Sequence, residues 1–302
     1  YQENDEGVGY WEETHSLFDS KGNPLATEFD PSTMPHRLIR SGVNEFTLKP
    51  IEWEPRRVGD DESAPEPSFI GNKISDVFFF KNRLGFLSGE NVIMSRASDY
   101  FNFWPSTVTD VLDGDPIDVA VATTQVANLN HAVPFSSTLL LFSDQMQFML
   151  SSGDSLLTPT SVAIDPSTYF ETSKKCTPVG AGPNVYFVVP NGEYSAVREY
   201  YVQADTKTND AQDVTAHVPR YLPRNISSMV SSSANDIIFL FSPDKPKHLY
   251  AYKYFWQGNE KVQSAWFTWI FEDNIIAMTI LENYLYLIME TSGNKFLCKV
   301  DL

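Results

Sequence analysis

The chain has 302 residues, of which 42% are hydrophobic and 14% aromatic, so it can build a sizeable core in one large domain or two modest ones. Its net charge of −17, from 39 acidic and 22 basic residues, argues against ordinary DNA binding, because that affinity comes largely from Lys and Arg. We expect no membrane span, since no run approaches about twenty apolar residues, and Cys176 and Cys298 cannot make a disulfide framework or a zinc site.

The amino-terminal seventy residues predict a β segment followed by a linker. Glu45–Trp53 alternates apolar and polar residues after a turn at residues 41–44, which predicts a hairpin with Arg37–Arg40. Glu54–Ser68 contains three prolines and an acidic run, the composition of a linker or long surface loop. Because the chain opens on Tyr1 and closes within a predicted strand, we expect an excerpt of a longer polypeptide.

From Ile74 onward one pattern recurs: an apolar strand, a short turn and an amphipathic strand. The apolar strands are predicted at Val77–Phe80, Thr138–Phe142, Asn184–Val189, Ile237–Phe241 and Tyr284–Met289. In the first unit, strands at Arg83–Leu87 and Val92–Ser95 extend the pattern into a meander, and Gln263–Phe271 adds a strand to the fourth. Only Ser98–Trp104 and Thr107–Leu112 are predicted as possible helices.

The spacing of these units, roughly 45 to 60 residues, is typical of repeat architectures. We therefore predict an all-β fold, a β-propeller of antiparallel four-stranded blades with an additional amino-terminal β segment. Residues 1–70 would form that segment and the linker, as part of a platform or a first blade, and residues 71–302 the propeller. A pair of β-sandwiches is the alternative, because hairpins alone do not reveal ring closure.

Residues that could carry chemistry are dispersed. Five histidines lack metal-site or catalytic spacing, and there is no Gly-x-Ser-x-Gly elbow or glycine-rich phosphate loop. We therefore expect no catalytic residue, cofactor or metal site. The densest acidic cluster holds Asp110, Asp113, Asp115 and Asp118. It resembles a fragment of a calcium loop without the bidentate Glu, so a solvated acidic loop is the preferred interpretation.

The stretch Asp76–Trp104, DVFFFKNRLGFLSGENVIMSRASDYFNFW, closely resembles the tail tubular protein B family of short-tailed phages, the tail nozzle proteins of podoviruses. Further segments resemble the same family in the same order: Gly9–Glu13, Thr33–Pro35, Val58–Asp61, Asp115–Val121, Ala132–Phe135 and Asp213–Val218. The resemblance covers the chain from about Gly9 to about Trp269 and weakens thereafter.

The resemblance implies a structural virion protein of the phage tail. It implies a homo-hexameric nozzle tube that docks on a tail adaptor ring protein, helps to seat the tail fibre protein, and lets genome DNA pass through its lumen without specific binding. An acidic wall would guide DNA by repulsion, and Asp110, Asp113, Asp115 and Asp118 are the candidate lumen residues. The alternative function is a propeller-type glycan hydrolase, a capsule depolymerase of a phage tail.

Several residues of the Asp76–Trp104 motif have an architectural interpretation. Gly85 and Gly89 would permit close packing and a turn. Arg83 and Arg96 would pair with acids or backbone carbonyls between units. Phe101–Trp104 supplies three aromatic rings that are expected to pack inside the chain rather than against another subunit.

Overall fold

The computed structural model describes residues 2–3, 9–153, 156–203, 206, 208–258 and 260–302. Within those residues the protein consists of strands, turns and loops, and no helix occurs. Consequently the described residues contain no helix long and apolar enough to span a membrane. The chain divides into two compact units, one of residues 1–126 with 151–164, the other of residues 127–150 with 165–302.

The first unit contains two short ribbons and one four-stranded sheet. The ribbons are β1 (Gln2–Glu3) with β2 (Gly9–Tyr10), and β3 (His36–Gly42) with β4 (Glu45–Pro50). The sheet runs in order β5 (Ile74–Phe80), β6 (Arg83–Ser88), β7 (Asn91–Met94) and β8 (Ile117–Ala120), with every pair antiparallel. The predicted amino-terminal hairpin and the meander after Ile74 are both confirmed.

The second unit holds four successive antiparallel sheets. Their strands are β9 (Leu129–Phe135), β10 (Thr138–Ser143), β11 (Gln147–Ser151) and β12 (Ala163–Thr168); β13 (Val179–Ala181), β14 (Asn184–Asn191), β15 (Tyr194–Val202), β16 (Asn209–Asp213) and β17 (Leu222–Pro223); β18 (Ser228–Ser232), β19 (Ile237–Phe241), β20 (His248–Gln257) and β21 (Glu260–Ile270); and β22 (Asn274–Leu281), β23 (Tyr284–Thr291) and β24 (Asn294–Asp301). These blades confirm the predicted all-β, propeller-like fold. The boundary at residue 70 stays a prediction.

Apolar cores fill the spaces between successive sheets of the second unit. In β14, Val185 and Phe187 pack towards the β9–β12 sheet, while Tyr186 and Val188 pack towards the β18–β21 sheet. Successive side chains of a strand point to opposite faces, so a strand buried on both faces must be apolar at every position. This explains why the repeated motif is a continuous apolar run rather than an alternating one.

The free thiol of Cys176 belongs to the core around β14. Burial raises the pKa of this thiol to about 12, so it stays protonated and unreactive near neutral pH. Cys176 is therefore a residue of the apolar core.

An aromatic cluster forms the core of the first unit. Phe29 stacks on Trp104 with ring centroids 5.1 Å apart, and Phe86 stacks on Phe103 at 5.2 Å. Phe69 meets Phe103 edge to face. Phe103 and Trp104 are almost fully buried, so their predicted packing within the chain is confirmed.

The two predicted helices are wrong. Ser98–Trp104 and Thr107–Leu112 form turns, bends and irregular loop. Ser98 has a φ of 61°, in the left-handed region, and the Asn102 side chain accepts a hydrogen bond from the backbone N–H of Trp104 at 3.0 Å. Such local side-chain hydrogen bonds compete with helical ones, and Pro105 disfavours a helical conformation in the residue before it.

Gly85 lies directly opposite Phe78 in the β5–β6 pair, and the Phe78 ring covers it. A Cβ atom on residue 85 would lie 2.1 Å from Cζ of Phe78 and 2.2 Å from its Cε2. We expect Gly85→Ala to lower the free energy of unfolding of the first unit by about 2–3 kcal/mol, because the ring must leave its packed position. Urea denaturation monitored by circular dichroism measures the change.

Gly180→Ala is the matched control, because Gly180 also lies in a strand and its added Cβ would meet nothing within 4 Å. We expect this variant to stay within about 0.5 kcal/mol of the parent. An equally small loss for Gly85→Ala would contradict the close packing of Phe78 on Gly85.

Candidate functional site

The acidic loop between β7 and β8 is organised around the side chain of Arg83. This side chain is 1% exposed at the start of β6. Its guanidinium donates to backbone carbonyl oxygens of Asp115 at 2.6 Å, Ser95 at 2.8 Å and Asp113 at 2.8 Å, and at longer range to Leu157 at 3.4 Å and Gly114 at 3.5 Å. Arg83 therefore bonds backbone carbonyls, as predicted, but its shortest bonds lie within its own sheet and the loop that follows rather than between units.

The charge of Arg83 is retained despite its burial. Burial lowers the pKa of the guanidinium from its ordinary value, and the Asp115 carboxylate opposes that effect. Arginine nevertheless stays protonated at physiological pH because its reference pKa is so high. The five N–H groups of a guanidinium point in fixed directions, so Arg83 holds several turns of the loop in one arrangement.

Asp115 uses its carboxylate inside the loop. It is 3% exposed; its Oδ1 accepts from the backbone N–H and the hydroxyl of Ser106, both at 3.2 Å, and its Oδ2 accepts from the backbone N–H of Leu112 at 2.9 Å. Nε of Arg96 lies 4.0 Å from Oδ1. The interpretation of a solvated loop is therefore wrong for Asp115, whose carboxylate fixes the loop conformation.

Asp118 on β8 links two parts of the first unit. Its Oδ2 accepts from the backbone N–H of Ser68 at 2.7 Å, and its Oδ1 accepts from Nδ2 of Asn91 at 2.9 Å. The carboxylate thus joins the segment before β5 to the start of β7. These hydrogen bonds stabilise the fold, although the Asp118 side chain is exposed.

Asp110 and Asp113 carry the exposed carboxylates of the loop. Oδ1 of Asp110 accepts from the backbone N–H of the next residue, Val111, at 2.9 Å, whereas Asp113 contributes its backbone carbonyl to Arg83. Asp110, Asp115 and Asp118 also line one cavity of about 460 Å³. That these four carboxylates face a channel stays a prediction.

Metal binding gains no support from the arrangement of acids. Among the residues that the structure describes, no three His, Cys, Asp or Glu side chains converge on a point where they could hold a metal ion. The Asp113–Asp115 segment holds Arg83 through its carbonyl oxygens instead.

A second polar cluster, in the second unit, was not predicted from the sequence. Glu199 on β15 is 1% exposed. Its carboxylate accepts hydrogen bonds from Nδ2 of Asn184 at 2.8 Å, from the hydroxyl of Tyr186 and from the ammonium of Lys261. Because Lys261 lies on β21, the ion pair connects two adjacent sheets. One feature of the sequence could have indicated that Glu199 is buried. It lies two residues after Val197 on the same strand, so its side chain is on the same face as that buried residue.

Comparison with known proteins gives the family. The chain matches the bacteriophage nozzle protein family over residues 1–302. It is 40% identical over 272 residues to the tail tubular protein gp12 of Escherichia phage T7, an alignment that covers 89% of this chain and 34% of that protein. The chain therefore spans about a third of the length of this curated relative.

Similar solved structures are remote. Hsv2 of Kluyveromyces lactis aligns with a TM-score of 0.45 at 10% identity, over 80% of this chain and 62% of that chain. The N-terminal domain of Nup159 aligns with a TM-score of 0.40 at 11% identity, over 78% and 64% of the two chains. Neither similarity is close enough to indicate the function of this protein.

The family match extends over all of the chain, and the phage T7 relative aligns with most of it. Both agree with the resemblance carried by the Asp76–Trp104 motif, which forms most of the β5–β7 meander and the loop that follows it. The chain belongs to the bacteriophage nozzle protein family, and its place is the phage tail.

Proposed function

We propose that this chain is part of a non-catalytic structural subunit of a phage tail nozzle, through which genome DNA leaves the virion. The observation that carries the proposal is the family match over residues 1–302, together with 40% identity to a tail tubular protein. In the complete protein, six copies would surround the lumen, dock on the tail adaptor ring protein and contact the tail fibre protein.

The charge of the chain supports a conduit rather than a DNA-binding surface. With 39 acidic and 22 basic residues, the protein repels phosphates, and counterion release from Lys and Arg contributes little affinity. A channel for DNA works best when its wall neither binds the duplex nor slows it. An acidic wall supplies that property at any DNA sequence.

Within the acidic loop, we propose Asp110 and Asp113 as the carboxylates that act on DNA. Both side chains are exposed, while Asp115 and Asp118 accept hydrogen bonds from Ser106, Leu112, Ser68 and Asn91. Asp115 and Asp118 would hold the loop in place, and Asp110 and Asp113 would present charge to the lumen.

The double variant Asp110→Lys, Asp113→Lys tests this assignment. Two lysines would attract phosphates where two carboxylates repelled them, so we expect DNA ejection from assembled phage to slow by roughly threefold to tenfold. The difference should shrink as ionic strength rises, because salt screens exposed charges. The release of DNA into a solution that contains an intercalating dye gives the ejection rate.

The control for that variant reverses two exposed acids of the second unit, Glu272→Lys with Glu282→Lys. It makes the same change in net charge and should leave ejection unchanged. Equal ejection rates for parent and the Asp110, Asp113 variant would contradict the assignment of these two residues to the lumen.

Catalysis is tested separately on the complete purified protein. We expect no reducing ends to appear when the protein is incubated with capsular polysaccharide. Reproducible sugar release would contradict the non-catalytic role and favour a glycan hydrolase, and mutation of a carboxylate pair should then abolish it.

A further inference from the structure

The last sheet of the second unit, β22–β24, has one covered face and one open face in the described part of the chain. On the covered face, Leu285, Leu287 and Met289 of β23 are buried and share an apolar core with Phe239 of β19. The residues between them on β23 point to the opposite face. There Ile288 is 40% exposed, so this second face is open to solvent.

The open face is largely apolar. Residues directly opposite each other in antiparallel strands lie on the same face, so the register of β22, β23 and β24 places these side chains in rows. Three of the rows are Ala277–Ile288–Leu297, Thr279–Tyr286–Lys299 and Leu281–Tyr284–Asp301. Leu281 is 61% exposed and Leu297 67%. A contiguous apolar patch on a protein surface commonly marks a site of interaction.

The strand β23 has the sequence of a strand that is buried on both faces. Its first six residues, YLYLIM, are aliphatic or aromatic at every position. The apolar strands β10, β14 and β19 each have five consecutive buried residues, whereas buried and more exposed residues alternate along β23. A strand with one face in water normally alternates apolar and polar residues. The sequence of β23 therefore fits a sheet that is covered on both sides.

The packing of the other sheets in this unit indicates what covers the open face. One apolar core lies between the β9–β12 and β13–β17 sheets, a second between the β13–β17 and β18–β21 sheets, and a third between the β18–β21 and β22–β24 sheets. Each sheet thus packs against sheets that are close to it in the sequence, as is usual for consecutive elements. The alignment with the phage T7 relative covers 34% of that protein, so the relative has enough additional residues for further sheets.

Lys299 adds a polar requirement to the open face. Its ammonium lies 3.5 Å from the centre of the Tyr284 ring and 5.9 Å from that of Tyr286. A layer packed over these rings would take the ammonium out of water, and a buried charge needs a partner. The covering layer must therefore combine apolar side chains with a carboxylate or a carbonyl oxygen near Lys299.

We propose that the open face of the β22–β24 sheet is the docking surface for a further antiparallel β-sheet of the same polypeptide, from outside residues 1–302. Packed sheets lie about 10 Å apart, so the side chains of that sheet would interdigitate with Leu281, Tyr284, Ile288 and Leu297 and place an acceptor beside Lys299. The inference concerns the folding of the complete polypeptide and does not depend on its role in the nozzle.

Thiol labelling of the 302-residue chain and of the complete protein tests the proposal. Leu297→Cys places a thiol on the open face, and the parent proteins give the background labelling of Cys176 and Cys298. Both proteins are labelled with a maleimide in their monomeric fractions, which light scattering identifies. We expect the variant of the complete protein to react at least about tenfold more slowly than the variant of the 302-residue chain, because a docked sheet shields the thiol.

Ser292→Cys is the matched control, because Ser292 is exposed in the turn between β23 and β24. It should react equally fast in the two proteins, and circular dichroism confirms that each variant folds. Equal labelling of Leu297→Cys in the two proteins, or slow labelling already in the 302-residue chain, would overturn the proposal. Protection that arises only when copies assemble would assign the face to a contact between copies and would also overturn it.

Discussion

Replacing Arg83 by methionine is expected to lower the stability of the first unit by about 4 kcal/mol. The methionine keeps an apolar stem but removes donors from the carbonyl oxygens of Ser95, Asp113 and Asp115. These buried oxygens would lose charge-assisted bonds, each of which is stronger than a neutral one. Native-state hydrogen exchange of the amides in β6 and β7 measures the loss, since it reports on one part of the chain at a time.

Two further variants make the Arg83 experiment specific. Arg57→Met removes a guanidinium that is 72% exposed and paired with Glu54, and it should cost less than about 1 kcal/mol. Arg83→Lys keeps the charge but not the fork of donors, so its cost should fall between the two. A cost for Arg83→Met as small as that of Arg57→Met would show that Arg83 does not organise the acidic loop.

Replacing Lys261 by methionine is expected to cost the second unit about 3–5 kcal/mol. Glu199 would keep its bonds from Asn184 and Tyr186, but its carboxylate, 1% exposed in its side chain, would lose the only cation paired with it in the described residues. An unpaired buried charge is the main cost when one partner of such a pair is removed. Urea denaturation measures the free energy of unfolding.

The double variant Glu199→Gln, Lys261→Met distinguishes two contributions to the loss of stability, the unpaired buried charge and the lost packing of the Lys261 side chain. A neutral amide needs no cation, so the double variant should be more stable than Lys261→Met alone. The control Lys174→Met breaks an exposed pair with Asp144 and should cost less than about 1 kcal/mol. If the double variant were less stable than the single one, the cost would come from packing rather than from the isolated carboxylate.

Three apolar strands of the second unit, β10, β14 and β19, were predictable because they are buried on both faces. Ile237–Phe241 is apolar at all five positions and is buried at all five, and left-handed residues such as Asn82 and Asn283 lie in the turns. Asn at those turns is readable in the sequence, because it tolerates positive φ better than most residues.

The loop after β7 shows where prediction from sequence fails. Two possible helices were predicted there, but Asn102 caps a turn with its side chain and Pro105 follows. Local acidity suggested solvent exposure for all four aspartates, yet Asp115 is buried because the donors that satisfy it come from the same loop. The distribution of charged residues along the sequence does not reveal hydrogen bonds that form when a loop folds back on itself.

The polar cluster of the second unit was missed for a different reason. Glu199 and Lys261 are 62 residues apart, and pairing between sheets depends on tertiary structure. In contrast, the family was recognisable because the Asp76–Trp104 motif concentrates the core of one sheet and its loop in a single stretch.

Electron cryomicroscopy of the complete protein, assembled in the phage tail, tests the central claim most directly. The nozzle account predicts a closed ring of six copies around an axial channel, with Asp110 and Asp113 at the channel wall and no DNA bound to that wall at fixed positions. A tail in which this protein forms no ring, or in which its copies lie away from the path of the DNA, would contradict the account.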